Sequence, residues 1–248
     1  MTTPGHEFML KTRLPGPGTS DQSQGLPQPP LELPPDPSQA LLNLPLPETI
    51  NAPACDLRTT IEGRRSVRKY ADDPLTLDQL SYLLWCTQGV KAVTDRPATK
   101  RTVPSAGSRH AFETYLLLNR VDGLQPGLYR FVAIEHKLAV VDLSADVAER
   151  VYEAHLFQDH TKTCAAVFIW AAVVYRMLWR YPDRGYRYLF LDAGHVCQNL
   201  YLAAESLGYG VCALGAFHDE QLNTLLGLDG EDQFTVYSAT VGKKIIDS

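Results

Sequence analysis

The pattern of apolar and polar positions divides the chain near residue 54. Beyond that point, short apolar runs predict strands over 113–118 and 233–242, and two strands about a turn within 128–143. Residues 164–174 form a continuous apolar run, which predicts a central strand buried on both faces.

Other segments carry the helical period of apolar positions. They predict helices over 55–63, from 77 up to Gly89, and over 191–210. The second helix opens with the capping box of Thr76 and Gln79. Strands and helices in this order, without an internal repeat, predict an α+β fold with a central mixed or antiparallel sheet flanked by helices.

The first 53 residues differ from the rest because they hold twelve of the seventeen prolines. Such a segment forms neither a helix nor an interior strand, so we expect an extended arm or linker. It either packs over the body of the protein or serves as a ligand for a proline-binding module. Residues 54–248 are then a single domain.

Composition excludes several classes of function. A net charge of −5 and a pI near 5.8 argue against a nucleic-acid binder. The best candidate for a membrane span, 164–175, is too short, and no signal peptide is visible at the N-terminus. Five cysteines without a CxxC pair, and histidines without ligand spacing, predict no disulfide framework and no metal site. We therefore expect a cytoplasmic protein.

Positive charge is concentrated in one place. Residues 64–69, the cationic segment, place Arg64, Arg65, Arg68 and Lys69 around Ser66. Guanidinium forks and a hydroxyl suit an anionic ligand, whereas the alternative is a solvated helix end. If the segment is extended, Arg65 points away from its neighbours.

Three further stretches could approach a flat ligand. The small-residue turn, Pro104 to Ser108, runs straight into an apolar strand. Leu214, Gly215 and Ala216 follow a short predicted strand, and Lys243 and Lys244 close the last strand.

Together these stretches resemble the nitroreductase superfamily of FMN-dependent enzymes. Arg64, Ser66 and Arg68 match its R-x-S-x-R/K element, and Pro104–Ser108 match P-S-S/A-x-N/S. The run 180–210, with 104–115 and 126–131, is similar to the SagB-type dehydrogenase branch, which includes thiazoline and oxazoline oxidases.

The resemblance implies a nitroreductase-like fold, an intertwined homodimer and FMN at the subunit interface. It implies that Arg64, Arg65, Ser66, Arg68 and Lys243 or Lys244 hold the phosphate and pyrimidine side of FMN. It places Pro104, Ser105, Ala106 and Ser108 along the flavin ring, with the turn coming from the other subunit. Leu214, Gly215 and Ala216 would face the N5 edge.

The resemblance also implies catalytic residues. Azoline-oxidising members carry a Lys-Tyr pair, and this chain has Arg180 and Tyr181 in that place. Arginine stays charged and cannot act as a base, so the base role would fall to Tyr181 unless that ring is only a packing aromatic.

Three functions stay open at this point. The first is an FMN-dependent oxidoreductase that exchanges a hydride with a small molecule or peptide, as in azoline oxidation. The second is a nitro or quinone reductase fed by NAD(P)H. The third is a non-catalytic scaffold of a peptide-modifying complex that works through the proline-rich arm.

Overall fold

A seven-stranded antiparallel sheet forms the centre of the protein. The structure is a computed structural model, and it describes residues 2–14 and 18–245. The strands of this sheet are β1 Leu41–Asn43, β4 Phe112–Leu118, β5 Gly127–Val132, β6 Lys137–Asp142, β7 Ala166–Val173, β8 Tyr209–Leu214 and β9 Gln233–Lys243. Their order across the sheet is β1-β6-β5-β4-β7-β9-β8. A separate hairpin consists of β2 Val90–Val93 and β3 Thr99–Arg101.

Helices cover both faces of this sheet. They are α1 Pro4–Lys11, α2 Leu57–Gly63, α3 Leu77–Gln88, α4 Val147–Ala154, α5 His160–Thr163, α6 Val174–Leu178, α7 Gly185–Ser206 and α8 Asp219–Leu226. Within the described residues, no helix combines the length and the apolarity that crossing a bilayer requires.

Strand β7 separates two apolar cores. Phe168 and Trp170 pack with residues of α3 and α7, whereas Val167 and Ile169 pack with residues of α4 and α8. Because successive side chains of a strand point to opposite faces, one continuous apolar run supplies both cores. The prediction of a central strand buried on both faces is confirmed.

The predicted helix over 191–210 had the right type but the wrong ends. Helix α7 already begins at Gly185 and ends at Ser206. Gly208 then turns the chain with φ +74°, and Tyr209 opens β8 because it pairs with Lys243 of β9. The pairing with β9, which is remote in sequence, overrides the helical pattern.

The proline-rich segment contains more regular structure than we expected. Helix α1 forms where no helix was predicted, because Thr3 caps it and Pro4 sits in its first turn, where a missing N–H costs nothing. Strand β1 adds to the edge of the sheet beside β6.

Residues 26–36 of the arm form neither a helix nor a strand, and buried donors of the body bind their carbonyl groups. Prolines lack an N–H, so this stretch cannot form a continuous ladder with a strand, and most of its contacts with the body use carbonyl oxygens. The three donor–acceptor pairs are Trp179 Nε1 to Leu26 O at 3.0 Å, Arg176 Nε to Pro30 O at 2.8 Å and Arg130 to Leu33 O at 2.9 Å.

The Glu113 carboxylate lies at the centre of this contact and is only 3% exposed. It pairs with Arg130 at 2.9 Å and with Arg176 at 2.6 Å, and it accepts the N–H of Leu33 at 2.8 Å. Two buried arginines and one backbone N–H thus compensate the buried negative charge of Glu113. The arm supplies that N–H through Leu33.

We expect Glu113→Ala to lower the free energy of unfolding by about 3–5 kcal/mol, because it leaves Arg130 and Arg176 buried without their anion. Urea denaturation measures the loss. The control is Glu135→Ala, which removes the exposed ion pair with Lys137 and should cost less than about 1 kcal/mol. Equal losses in the two variants would contradict the central role of Glu113.

Candidate functional site

The cationic segment leaves the end of α2 and runs along the edge of the sheet. Val67 N–H donates to Val211 O of β8 at 2.9 Å, and Ala71 N–H donates to Lys243 O of β9 at 3.0 Å. A Cβ on Gly242 would lie 2.5 Å from the Tyr70 ring. Position 242 therefore has no room for a side chain, because Tyr70, the residue that follows the cationic segment, packs directly on it.

Four cations of this region line one cavity of about 360 Å³ beside Ser66, namely Arg65, Arg68, Lys69 and Lys244. Lys244 pairs with Glu205, whereas the other three form no ion pair within residues 2–14 and 18–245. Cations without an acidic partner around a cavity fit a phosphate group.

The placement of individual cations differs from the sequence expectation. Arg65 lines the cavity rather than pointing away, and Arg64 stacks over the Tyr201 ring at 5.1 Å. Of the two closing lysines, Lys244 faces the cavity, and Lys243 lies over the Tyr209 ring at 4.9 Å. The cavity therefore favours Arg65, Arg68 and Lys244 as phosphate ligands.

Tyr201 of α7 connects the cationic segment to the end of β8. Its hydroxyl lies 3.0 Å from Ser66 Oγ and accepts the N–H of Ala213 at 2.9 Å. Leu214 is buried, but Gly215 and Ala216 directly after it are exposed. The structure thus brings the cationic segment close to Leu214, Gly215 and Ala216.

The small-residue turn lies elsewhere and is held by side chains. Ala106 N–H donates to Asp192 Oδ1 at 3.2 Å, and His110 N–H donates to Ser105 Oγ at 2.9 Å. Pro104 and Ser108 are exposed, and Ser108 adopts φ +54°. Burial raises the pKa of the Asp192 carboxyl, while its hydrogen bonds to Ser105 and Ala106 lower it.

Arg180 and Tyr181 lie directly over this turn at Gly107. A Cβ on Gly107 would be 2.7 Å from Tyr181 Oη and 2.9 Å from Arg180 Cδ. Its φ of +58° also favours glycine, so both the backbone and the space require this residue. The structure therefore places the predicted catalytic pair on the predicted flavin turn.

Within one chain, helix α7 keeps these two parts apart. Asp192, which holds the turn, and Tyr201, which holds the cationic segment, are nine residues apart on α7. That spacing puts them about 14 Å apart along the helix axis and on opposite faces. Within one chain, the turn and the cationic segment therefore lie on opposite sides of α7.

Sequence reasoning missed Asp192 and Tyr201 as residues that hold the site. The sequence does contain an indication for Asp192. This residue lies four positions before Val196 and eight before Leu200, and therefore on the apolar face of the helix. An acidic residue on such a face is buried and needs a partner. The sequence contains no such indication for Tyr201, because its position in the helix is equally typical of an aromatic residue in the core.

Comparison with known proteins identifies a family and several relatives of this chain. The model of the nitroreductase family matches residues 61–243. A protein of Methanocaldococcus jannaschii that is named as a nitroreductase is 37% identical over 189 residues, which cover 76% of this chain and 91% of that protein.

Two further relatives are longer than this chain. The trifolitoxin-processing protein of Rhizobium leguminosarum bv. trifolii is 27% identical over 154 residues, which cover 60% of this chain and 41% of that protein. A crystal structure from Anabaena variabilis, also named as a nitroreductase, is 29% identical with a TM-score of 0.68. That match covers 84% of this chain and 42% of the Anabaena chain. The predicted α+β, nitroreductase-like fold is confirmed.

Proposed function

Since the chain belongs to the nitroreductase family of flavin-dependent oxidoreductases, we propose that it binds FMN and exchanges a hydride between FMN and an organic substrate. One observation carries this proposal: Arg180 and Tyr181 lie on the turn that the family resemblance places along the flavin ring. We further propose that residues 54–248 are the FMN-binding domain and that residues 1–53 are an arm packed on it.

The cavity of the cationic segment supports FMN as the cofactor. Arg65, Arg68 and Lys244 would bind its phosphate, and Ser66 would add a hydroxyl. A dianionic phosphate would compensate the unpaired cations. Gly215 and Ala216 are open to a ligand and would lie beside the ring, with their backbone N–H groups as donors.

We propose a homodimer because one chain holds its turn and its cationic segment on opposite faces of α7. Helix α7 exposes Phe190 and Leu191 at 57% and 58%, and Leu57 and Ile61 of the adjacent α2 are also exposed. Apolar surface of this kind favours burial against a second copy. The turn of one subunit would then reach the cationic segment of the other.

The residues of the turn have separate roles in this mechanism. FMN supplies the hydride chemistry when bound, and the protein orients it and tunes its charge. Ala106 and Ser108 would bring the backbone against the ring, while Asp192 holds the turn in place. The Tyr181 hydroxyl would exchange a proton with the substrate, and Arg180, which stays charged, would stabilise negative charge.

A peptide is the first candidate substrate. The trifolitoxin-processing relative supports the SagB-type branch, in which azolines of peptides are oxidised. Because Arg180 stands in place of a lysine, Tyr181 would have to be the base for azoline oxidation. The second candidate is a nitro or quinone compound reduced with NAD(P)H, which the Methanocaldococcus relative supports.

We expect Arg68→Ala to weaken FMN binding by about ten- to a hundredfold, because one charged hydrogen bond to phosphate contributes about 1.5–3 kcal/mol. Fluorescence quenching gives the dissociation constant. The control is Arg58→Ala, an exposed residue paired with Glu62 outside the cavity, which should leave FMN binding unchanged. The same small loss in both variants would mean that the cationic segment is only a solvated surface.

We expect the purified protein to be a dimer of about 55 kDa, twice the 27.6 kDa of one chain. Phe190→Asp should yield monomers that have lost FMN, because a charge cannot be buried in the interface. Phe157→Asp, at an equally exposed phenylalanine away from α7, is the matched control. Light scattering with flavin absorbance follows both variants, and a monomer that retains FMN would refute the shared site.

The experiment that tests the function itself is anaerobic bleaching of the flavin absorbance. A yellow protein bleached by NADPH supports the reductase, and one bleached only by an azoline-containing peptide supports the oxidase. In either case Tyr181→Phe should slow the half-reaction with substrate at least about a hundredfold, the lower end of the usual contribution of an acid–base group. A colourless protein that rejects added FMN would refute both and favour the scaffold.

A further inference from the structure

Two arginines meet at the small-residue turn without an acidic partner. Arg109 is buried, and its Nε donates to Gly107 O at 3.1 Å. Arg180 approaches the same glycine from the other side, with its Nε 3.0 Å from the position that a Cβ of Gly107 would take. In the part of the chain that the structure describes, neither residue forms an ion pair.

The surroundings of Arg109 are themselves cationic. Burial lowers the pKa of its guanidinium, and the nearby charges of Arg180 and Arg96 lower it further, against an opposite effect of Tyr181. The guanidinium lies over the Trp179 ring at 5.2 Å, which holds it in place but does not neutralise it. Both side chains lie at Gly107 and like charges repel each other, so the arrangement favours an anion that contacts both.

Trp179 also links this pair to the arm. Its indole N–H donates to Leu26 O, and its own carbonyl accepts the N–H of Gln22 at 2.9 Å. The segment that carries Arg180 and Tyr181 is therefore fixed from outside, and its position does not depend on a bound ligand. A preformed cationic site of this kind binds an anion without first paying for its own ordering.

We infer that Arg109 and Arg180 form a binding site for a carboxylate or phosphate group of the molecule that exchanges the hydride, with the Tyr181 hydroxyl as a third donor. The inference rests on the proposed function for the identity of that molecule and narrows it to substrates with an oxyanion next to the reacting atoms. The planar forks of two arginines suit both carboxylate and phosphate.

The oxyanion could come from either reaction partner. It is a carboxylate if the organic substrate brings it, or the 2′-phosphate if NADPH does. Two pairs of probes separate these sources, because each pair differs by one anionic group. They are 4-nitrobenzoate against 4-nitrobenzamide, and NADP⁺ against NAD⁺, which differ by the same 2′-phosphate as NADPH and NADH but do not reduce the flavin.

Calorimetry on the purified protein measures the dissociation constants of the four probes. We expect at least one anionic probe to bind the wild type about ten- to a hundredfold more tightly than its matched partner, the range for one charged hydrogen bond. Arg180→Met should bring that ratio close to one, and Arg58→Met should leave it unchanged. Arg180 is only partly buried and its side chain makes no hydrogen bond within the described residues, so its variant should fold.

If Arg180→Met lowers the affinity ratio of the benzoate pair, the bound anion belongs to the organic substrate. If it lowers the affinity ratio of the nucleotide pair, the bound anion belongs to NADPH. Ratios near one for both pairs, or a ratio unchanged by Arg180→Met, would overturn the inference. A protein that lacks flavin but still prefers the anionic probe would contradict the proposed function and support the site.

Discussion

The buried Glu113 carboxylate is the interaction on which the arrangement of the site depends. It lies on β4, pairs with Arg130 of β5 and Arg176 of α6, and accepts an N–H from the arm. Arg176 precedes the catalytic candidates Arg180 and Tyr181 by one helical turn. A charge buried in the sheet must be fully compensated, so the arm, the sheet and the segment over the turn are fixed together.

Helix α7 imposes the second constraint. It holds the small-residue turn through Asp192 and the cationic segment through Tyr201, on opposite faces. In the dimer that we propose, each of these two parts would be completed by the second copy. The geometry of one helix would then couple cofactor binding to dimer formation.

Both parts of the proposed site carry positive charge that acidic side chains do not fully neutralise. Around the cationic segment, three cations that form no ion pair in the described residues line a cavity that fits phosphate. At the turn, Arg109 and Arg180 both lie at Gly107, and neither forms an ion pair within residues 2–14 and 18–245. The acids nearby are engaged, because Glu205 pairs with Lys244 and Asp192 accepts the N–H of Ala106. The positive charge that remains in these two places suits an anionic ligand.

The sequence by itself determined the fold class, the central strand and the capping box of α3, and it indicated the groups of residues that we propose for the site, because each depends on local periodicity or on a contiguous motif. It could not determine that α7 ends at Ser206, that Lys244 rather than Lys243 faces the cavity, or that Asp192 and Tyr201 hold the two parts of the site. These features depend on strand register and on contacts between residues up to about 135 positions apart. Only the folded chain creates such contacts, and therefore only the tertiary structure decided which side chains meet.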